Sequence, residues 1–335
     1  MSDLGDRVDA LEDRIRRSLA ALGSDAELGR VEVEPDGCDR PEGGSRPACI
    51  MRDARGRRYF LKAATADHVA AEIFAGEVRR LGRRPTVATA ARRIEVPEIG
   101  VIDGMIQPLI DHAGERLPTD PGAWTAVQRE VMLREHPWEW LVANLDTHVD
   151  QYVLLGPERV PFDVDWDHSL LDLHVQELTR VTTRNPAIPP LRNALYDAYV
   201  RGEIDLDLRG MLHQVRRVSR LDDRALVRSV RAWAERCGHP DERRREVTSA
   251  LLRRKDVIGD TFRTFVRSLR AERAARRDPA RPGPPLLEQA RNAAVGAWQR
   301  FVIDVLHDRA VVPYLKVQRN VIARRDAWLE RRSGD

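Results

Sequence analysis

Between Asn144 and Leu170 the chain reads NLDTHVDQYVLLGPERVPFDVDWDHSL, and no other segment restricts the fold as strongly. Two short apolar stretches, QYVLL and VPFDV, have strand composition and flank the turn residues GPER, so they read as a strand–turn–strand unit. Asp146, Asp150, Asp163, Asp165 and Asp167 lie around and within them, with His148 and His168. Carboxylates are costly to bury unless something balances them, so a fold that takes this segment inside must bring a cation to it. A polar surface loop, a transition-metal site and a nucleotide site are the three readings open at this point.

The rest of the chain narrows them. Of its 56 basic residues only Lys62, Lys255 and Lys316 are lysine, a bias expected of a GC-rich bacterial genome. Where arginine is the default cation, a lysine in the apolar stretch YFLKA stands out, because a compact ammonium serves as a point-charge phosphate ligand in a way a planar guanidinium does not. The net charge of +3 makes no case for nucleic acid, and no apolar run approaches the roughly 20 residues a membrane span needs. Cys38, Cys49 and Cys237 form no CxxC and cannot all pair, which with the acidic, amphipathic N-terminus leads us to expect a cytoplasmic protein.

Periodicity divides the chain into a β-rich and a helical part. Leu4, Val8, Leu11, Ile15, Leu19 and Leu22 recur at helical spacing, giving an N-terminal helix over 1–24 that packs on the body or forms a short dimer seam. Residues 25–110 carry strand signals (LGRVEVEP, ACIMRD, RRYFLKAA, VATAARRIEV, GVIDGMIQPLI) interrupted by one helix, HVAAEIFAGEVRRLG. Residues 111–335 are mainly helical apart from the acid-rich hairpin, with helices expected over 189–202, 205–218, 221–237, 241–276, 285–308 and 313–331. RRDPARPGPP, from Arg276 to Pro285, is the clearest breaker. The expected fold is α+β and bilobal, with a small antiparallel β N-lobe and a large helical C-lobe.

Phosphoryl transfer from ATP requires a carboxylate for the acceptor hydroxyl, oxygen ligands for Mg²⁺ and a cation on the α/β-phosphates. Asp146 and Gln151 lie five positions apart, the spacing of base and loop metal ligand in kinases, and Asp165 follows one hairpin later. Lys62, then Glu72 in the next helix, then Gln107 in the segment ending the fifth strand complete a kinase-like order.

The segment DTHVDQYVL resembles the D-R-H-x-x-N loop of phosphatidylinositol 3- and 4-kinases and the N-x-D-x-H-x-x-N loop of HipA-type kinases. VDWDHSL is similar to the I-D-F-G-H-x-L segment of the lipid kinases, and WEWLVANLD to the helix leading into the HipA loop. This resemblance covers about residues 45–175. It implies ATP and Mg²⁺ as cofactors, Asp146 as catalytic base and His148 as a brace for the loop. It also implies Lys62, Glu72 and Gln107 as nucleotide-binding residues, and Gln151 and Asp165 as metal ligands, with Asp163, Asp150 and Asp167 as spare carboxylates.

Gln151 departs from the family's Asn, its carbonyl displaced by about 1.5 Å through one added methylene, and Thr147 stands where the lipid kinases have Arg. A HipA-like protein Ser/Thr kinase is the first expectation. An aminoglycoside-phosphotransferase-like kinase and a pseudokinase or nucleotide-binding scaffold with a partner-binding helical tail are the alternatives.

Competing assignments remain for several residues. Glu77 competes with Glu72 as the partner of Lys62, and His136, His148, His168 and His174 are the candidate ligands of a transition-metal centre. The phosphate-covering loop falls in DGCDRPEGGSRP, which has Gly37, Gly43 and Gly44 but no clear G-x-G-x-x-G. In the basic stretch 242–277, Val247, Leu251, Ile258, Phe262, Phe265 and Leu269 mark a buried stripe. Its arginines read as a solvated face or, less readily, as a docking surface for an anionic partner. Trp233, Trp298 and Trp328 are expected in the core.

Overall fold

A computed structural model describes residues 3–37, 47–97, 100–110, 116–170, 173 and 190–277. The chain divides into two units, Met1–Arg277 and Asp278–Asp335, and all described residues belong to the first. Helices expected over 285–308 and 313–331, Trp298, Trp328, Lys316, His174 and most of the expected phosphate-covering loop lie outside the described residues.

The elements are α1 (Asp3–Ala21), α2 (Asp25–Leu28), β1 (Val33–Gly37), β2 (Ala48–Asp53), β3 (Arg58–Ala63), α3 (Ala66–Leu81), β4 (Ala90–Val96) and β5 (Gly100–Pro108). They are followed by α4 (Ala126–Val142), β6 (Tyr152–Leu155), β7 (Val160–Asp163), α5 (Pro190–Arg201), α6 (Leu208–Ser219), α7 (Asp223–Cys237) and α8 (Asp241–Arg277). This is the expected α+β arrangement, an antiparallel β lobe followed by a mostly helical one.

The five-stranded sheet has the order β1-β2-β3-β5-β4, antiparallel throughout. β3 is central, so Lys62 is held in register between Ala48 on β2 and Met105 on β5. Strand β5 passes unusually close: a Cβ on Gly104 would stand 2.0 Å from the Lys62 carbonyl oxygen, a position only glycine can occupy. Cys49, Met51, Tyr59, Leu61, Ile102 and Ile106 form the buried face of this sheet.

Helix α1 packs on the body, as one of its two expected placements requires. Val8, Leu11, Ile15 and Leu19 meet Val127 and Val131 of α4 and Leu155, Val160 and Phe162 of the β6–β7 hairpin, while Leu22 is left exposed just past the helix end. The largest core lies among α4–α8, where the expected α8 stripe, Val247 through Leu269, is fully buried. Trp233 joins that core.

Not all α8 cations are solvated, which corrects the reading of its basic face. Arg254 is buried with its guanidinium 4.0 Å from the Trp140 ring centre and its Nε donating to the Trp140 carbonyl at 2.9 Å. Lys255 pairs with Asp223, and Arg273 lies over Tyr199 at 4.2 Å. The cysteine argument also changes: Cys49 is disulfide-bonded and Cys237 is a free thiol, so the cysteine count no longer favours a reducing compartment. Among the described residues no helix is long and apolar enough to cross a membrane.

A buried ionic network joins α1, α3 and α4. Glu135 accepts from Arg79 at 2.5 Å and from Arg84, Arg84 also binds Glu12, and Arg134 binds Glu130 at 2.8 Å and Asp9 at 2.5 Å. Despite its burial, Glu135 is held down at about 2 by Arg79 and Arg84. Its stabilising contribution is therefore complete above the ordinary carboxylate pKa and lost only as pH falls towards that value. Removing one partner of a buried pair leaves an uncompensated charge, so Glu135→Leu is expected to cost about 3–5 kcal/mol in urea denaturation at neutral pH.

Candidate functional site

The β6–β7 register brings the acid-rich segment together. Tyr152 pairs with Asp163 and Leu155 with Val160 across the turn. Beyond the last rung the Val164 N–H donates to the Gln151 carbonyl at 3.0 Å, which places Asp165 next to Gln151 at the open end of the hairpin. Asp163 then bends the chain: its Oδ1 accepts the Asp165 N–H at 3.0 Å. The Asp163 carboxyl is completely buried, and burial together with Glu139 raises its pKa well above the carboxylate range.

Lys62 meets this segment from the sheet. Its Nζ donates to Asp165 Oδ2 at 2.8 Å and to Asp167 Oδ2 at 3.2 Å, the cation that the burial argument required. Burial opposes the ammonium, but the two carboxylates outweigh it and lift its pKa above the ordinary lysine value. Asp165 moves up as well, through burial and the charge of Asp167, with Lys62 working against the rise. Both directions follow from one arrangement, an ammonium facing two neighbouring carboxylates.

Glu72 is not the ion-pair partner of Lys62, which corrects the expected pairing. Its Oε2 accepts the Trp166 N–H at 2.6 Å, and its Oε1 accepts from the Gln107 amide at 3.2 Å. Gln107 also donates to Thr89 Oγ1 at 3.0 Å. Helix α3 thus grips the residue between Asp165 and Asp167 through its backbone, and Arg79 of the same helix covers the Trp166 ring at 4.3 Å. Glu77 points elsewhere, to Arg236 at 3.0 Å. Burial and the charges of Asp165 and Asp167 push Glu72 up to about 8, against the Trp166 hydrogen bond and Lys62.

The loop before the hairpin is arranged differently from its expected form. Asp146 is half exposed, and its Oδ2 lies 3.4 Å from His168 Nε2, which is also 3.6 Å from Asp167 Oδ1. The His148 ring is half exposed, with Nδ1 3.8 Å from Asp150 Oδ2. Gln151 Oε1 accepts the His148 N–H at 3.2 Å across the short 3-10 turn Val149–Gln151.

Among the described residues, His136, His148 and His168 belong to no cluster able to hold a metal ion. His136 is buried in the helical core, bonded to Tyr196 Oη at 2.7 Å and packed on Phe262. Sequence reasoning missed Trp166 and Arg79, whose contact links distant segments. It also missed the completely buried Asn144 amide, two residues before Asp146, which has no hydrogen-bond partner among the described residues.

A cleft of about 410 Å³ opens beside these groups. Phe60, Met105, Ile110, Val153 and Val164 give it apolar walls, and Lys62, Gln107, Asp150, Gln151 and Asp165 stand along its polar side. An apolar slot with a few convergent polar groups is the usual form of a small-molecule site. Hard divalent cations take carboxylate oxygen ligands, which Asp165 and Asp167 offer side by side.

No protein-family model matches the chain, and no curated protein matches it. Among solved structures it resembles the crystal structure of a Helicobacter pylori proinflammatory kinase, CtkA, with a TM-score of 0.44 and 9% identity over 72% of this chain and 98% of that one.

An acid whose folded-state pKa is raised stays protonated where the unfolded chain has ionised. From the ordinary glutamate value of 4.5 up to about 8, Glu72 therefore lowers stability as pH rises. Urea titrations in EDTA across this range are expected to show that slope in the wild type, and Glu72→Gln is expected to remove this group's share of it.

Proposed function

We propose that the chain is an ATP- and Mg²⁺-dependent phosphotransferase acting on a hydroxyl acceptor. The observation that carries this reading is Lys62 held between Asp165 and Asp167 at the polar side of an apolar cleft. Lys62 is the cation for the α/β-phosphates, and the apolar walls suit a purine. Asp165, with Asp167 beside it, would hold Mg²⁺, which when bound neutralises phosphate charge. Glu72 positions the pair by fixing the Trp166 backbone, and Gln107 fixes Glu72.

Asp146, exposed at the mouth of the loop, orients the acceptor and takes its proton. The acceptor oxygen forms a bond to the γ-phosphorus, and the bond from that phosphorus to the bridging oxygen breaks, its electron pair leaving with ADP. A protein Ser/Thr hydroxyl is the first acceptor to test, on the resemblance of the loop to HipA-type kinases. A small-molecule hydroxyl is the next.

One observation favours a second reading, a nucleotide-binding protein without transfer. The Gln151 side-chain oxygen, expected on the metal, is engaged by the His148 N–H, so Gln151 serves the loop rather than the cation. The two readings separate by experiment. Mg·ATP is expected to raise the melting temperature of the wild type and of Asp146→Asn, because binding to the folded state alone stabilises it. Lys62→Ala and Asp165→Ala are expected to lose that shift. Transfer of labelled γ-phosphate to a Ser/Thr protein substrate mixture is expected in the wild type, at least about 100-fold weaker in Asp146→Asn. A shift without transfer supports the second reading, and no shift under any condition overturns both.

A further inference from the structure

At the first turn of α3, three side chains of metal-ligating type meet. Asp67 stands in the first turn of α3, Cys237 ends α7, and His239 follows in the turn to α8. One ligand atom from each lies within 4.8 Å of the other two, and the His239 Nε2 is 3.8 Å from Asp67 Oδ1. Around a zinc ion with a thiolate at about 2.3 Å and nitrogen or oxygen at about 2.0 Å, such atoms stand roughly 3.3–3.6 Å apart. Side-chain rotation of about 1 Å closes the set.

The backbone holds the three in place. Gly238 adopts the left-handed conformation, φ +66°, that caps α7 and turns the chain between Cys237 and His239. The His239 N–H donates to the Ala234 carbonyl at 2.9 Å, and the imidazole packs on Trp233 with ring centres 4.7 Å apart. Arg236 and Glu77 cross the same α3–α7 seam at 3.0 Å.

We propose that Asp67, Cys237 and His239 form a zinc site that ties the first turn of α3 to the α7–α8 turn. A thiolate with an imidazole and one carboxylate selects a borderline-soft ion over Mg²⁺ or Ca²⁺, and the fourth tetrahedral position falls to water. The site reaches the cleft through α3. His68, next to Asp67, stacks edge-on against His168 at 5.3 Å, and His168 contacts Asp146. One turn further on, Glu72 holds Trp166. Zinc at this end therefore fixes the helix on which both contacts depend, independently of what the cleft binds.

Full-length protein, stripped with chelator, is titrated with Co²⁺ as a spectroscopic probe and with Zn²⁺ by calorimetry. One equivalent of Co²⁺ is expected to give a near-ultraviolet thiolate-to-cobalt charge-transfer band, reversed by one equivalent of Zn²⁺. Cys237→Ser is expected to abolish the band, and Cys237→Ser, His239→Ala and Asp67→Asn each to weaken Zn²⁺ by at least about tenfold. Circular dichroism on each variant confirms that it is folded. Absence of the band, or a band and Zn²⁺ affinity unchanged in folded Cys237→Ser and His239→Ala, overturns the proposal.

Discussion

One ammonium shared between two carboxylates is the interaction around which this molecule is arranged. Lys62 donates to both Asp165 and Asp167, and carboxylates in a partly buried place are tolerated where a cation meets them. Three separate elements hold the arrangement. The sheet presents Lys62 from a central strand, the β6–β7 hairpin delivers Asp165, and α3 fixes the backbone between the two acids. The sheet has its own core, while α3 and the hairpin share the large helical one, so the arrangement is held by packing on both sides.

Local signals recovered the elements well and the pairings poorly. The described helices after Pro190 follow the 3.6-residue stripe of apolar side chains, which records the burial of one face and needs no knowledge of the partner. Lys62 was legible because lysine is rare here, and Asp165 because acids interrupt apolar strands. Glu72 was identified as a site residue but given the wrong bond. Chain order places it beside Lys62, whereas competition from two nearer carboxylates decides where the ammonium goes. The same holds for His136, which is polar in sequence yet lies in an aromatic core bonded to Tyr196. Gln151 was noticed for its extra methylene; that it serves to hold the His148 N–H depends on a turn geometry the residue type does not encode.

The buried arginines are a further departure from what composition suggests. Arg79, Arg84, Arg134, Arg192 and Arg254 are all nearly inaccessible. Arg192 is fixed between Glu139, Tyr152 and the Met132 carbonyl, so α5, α4 and β6 meet at one guanidinium. Such groups contribute less to net stability than apolar residues of the same volume would. Their planar, multiply donating heads do accept only one arrangement of neighbours, which fits an enzyme-like body whose helices must present a loop in one orientation.

Helix α3 lies within the chain's β-rich segment, yet its strongest attachments are to helices. Arg79 is ion-paired with Glu135 of α4, Arg236 of α7 holds Glu77, and Gly82 at its end lies so close to Trp138 that an added Cβ would stand 1.9 Å from the indole. The division of the fold into halves by sequence is therefore not its mechanical division. A motion that widened the cleft with these contacts intact would carry α3 with the helices and leave the five strands to move as the separate part, so Lys62, and not Glu72, would travel away from Asp165.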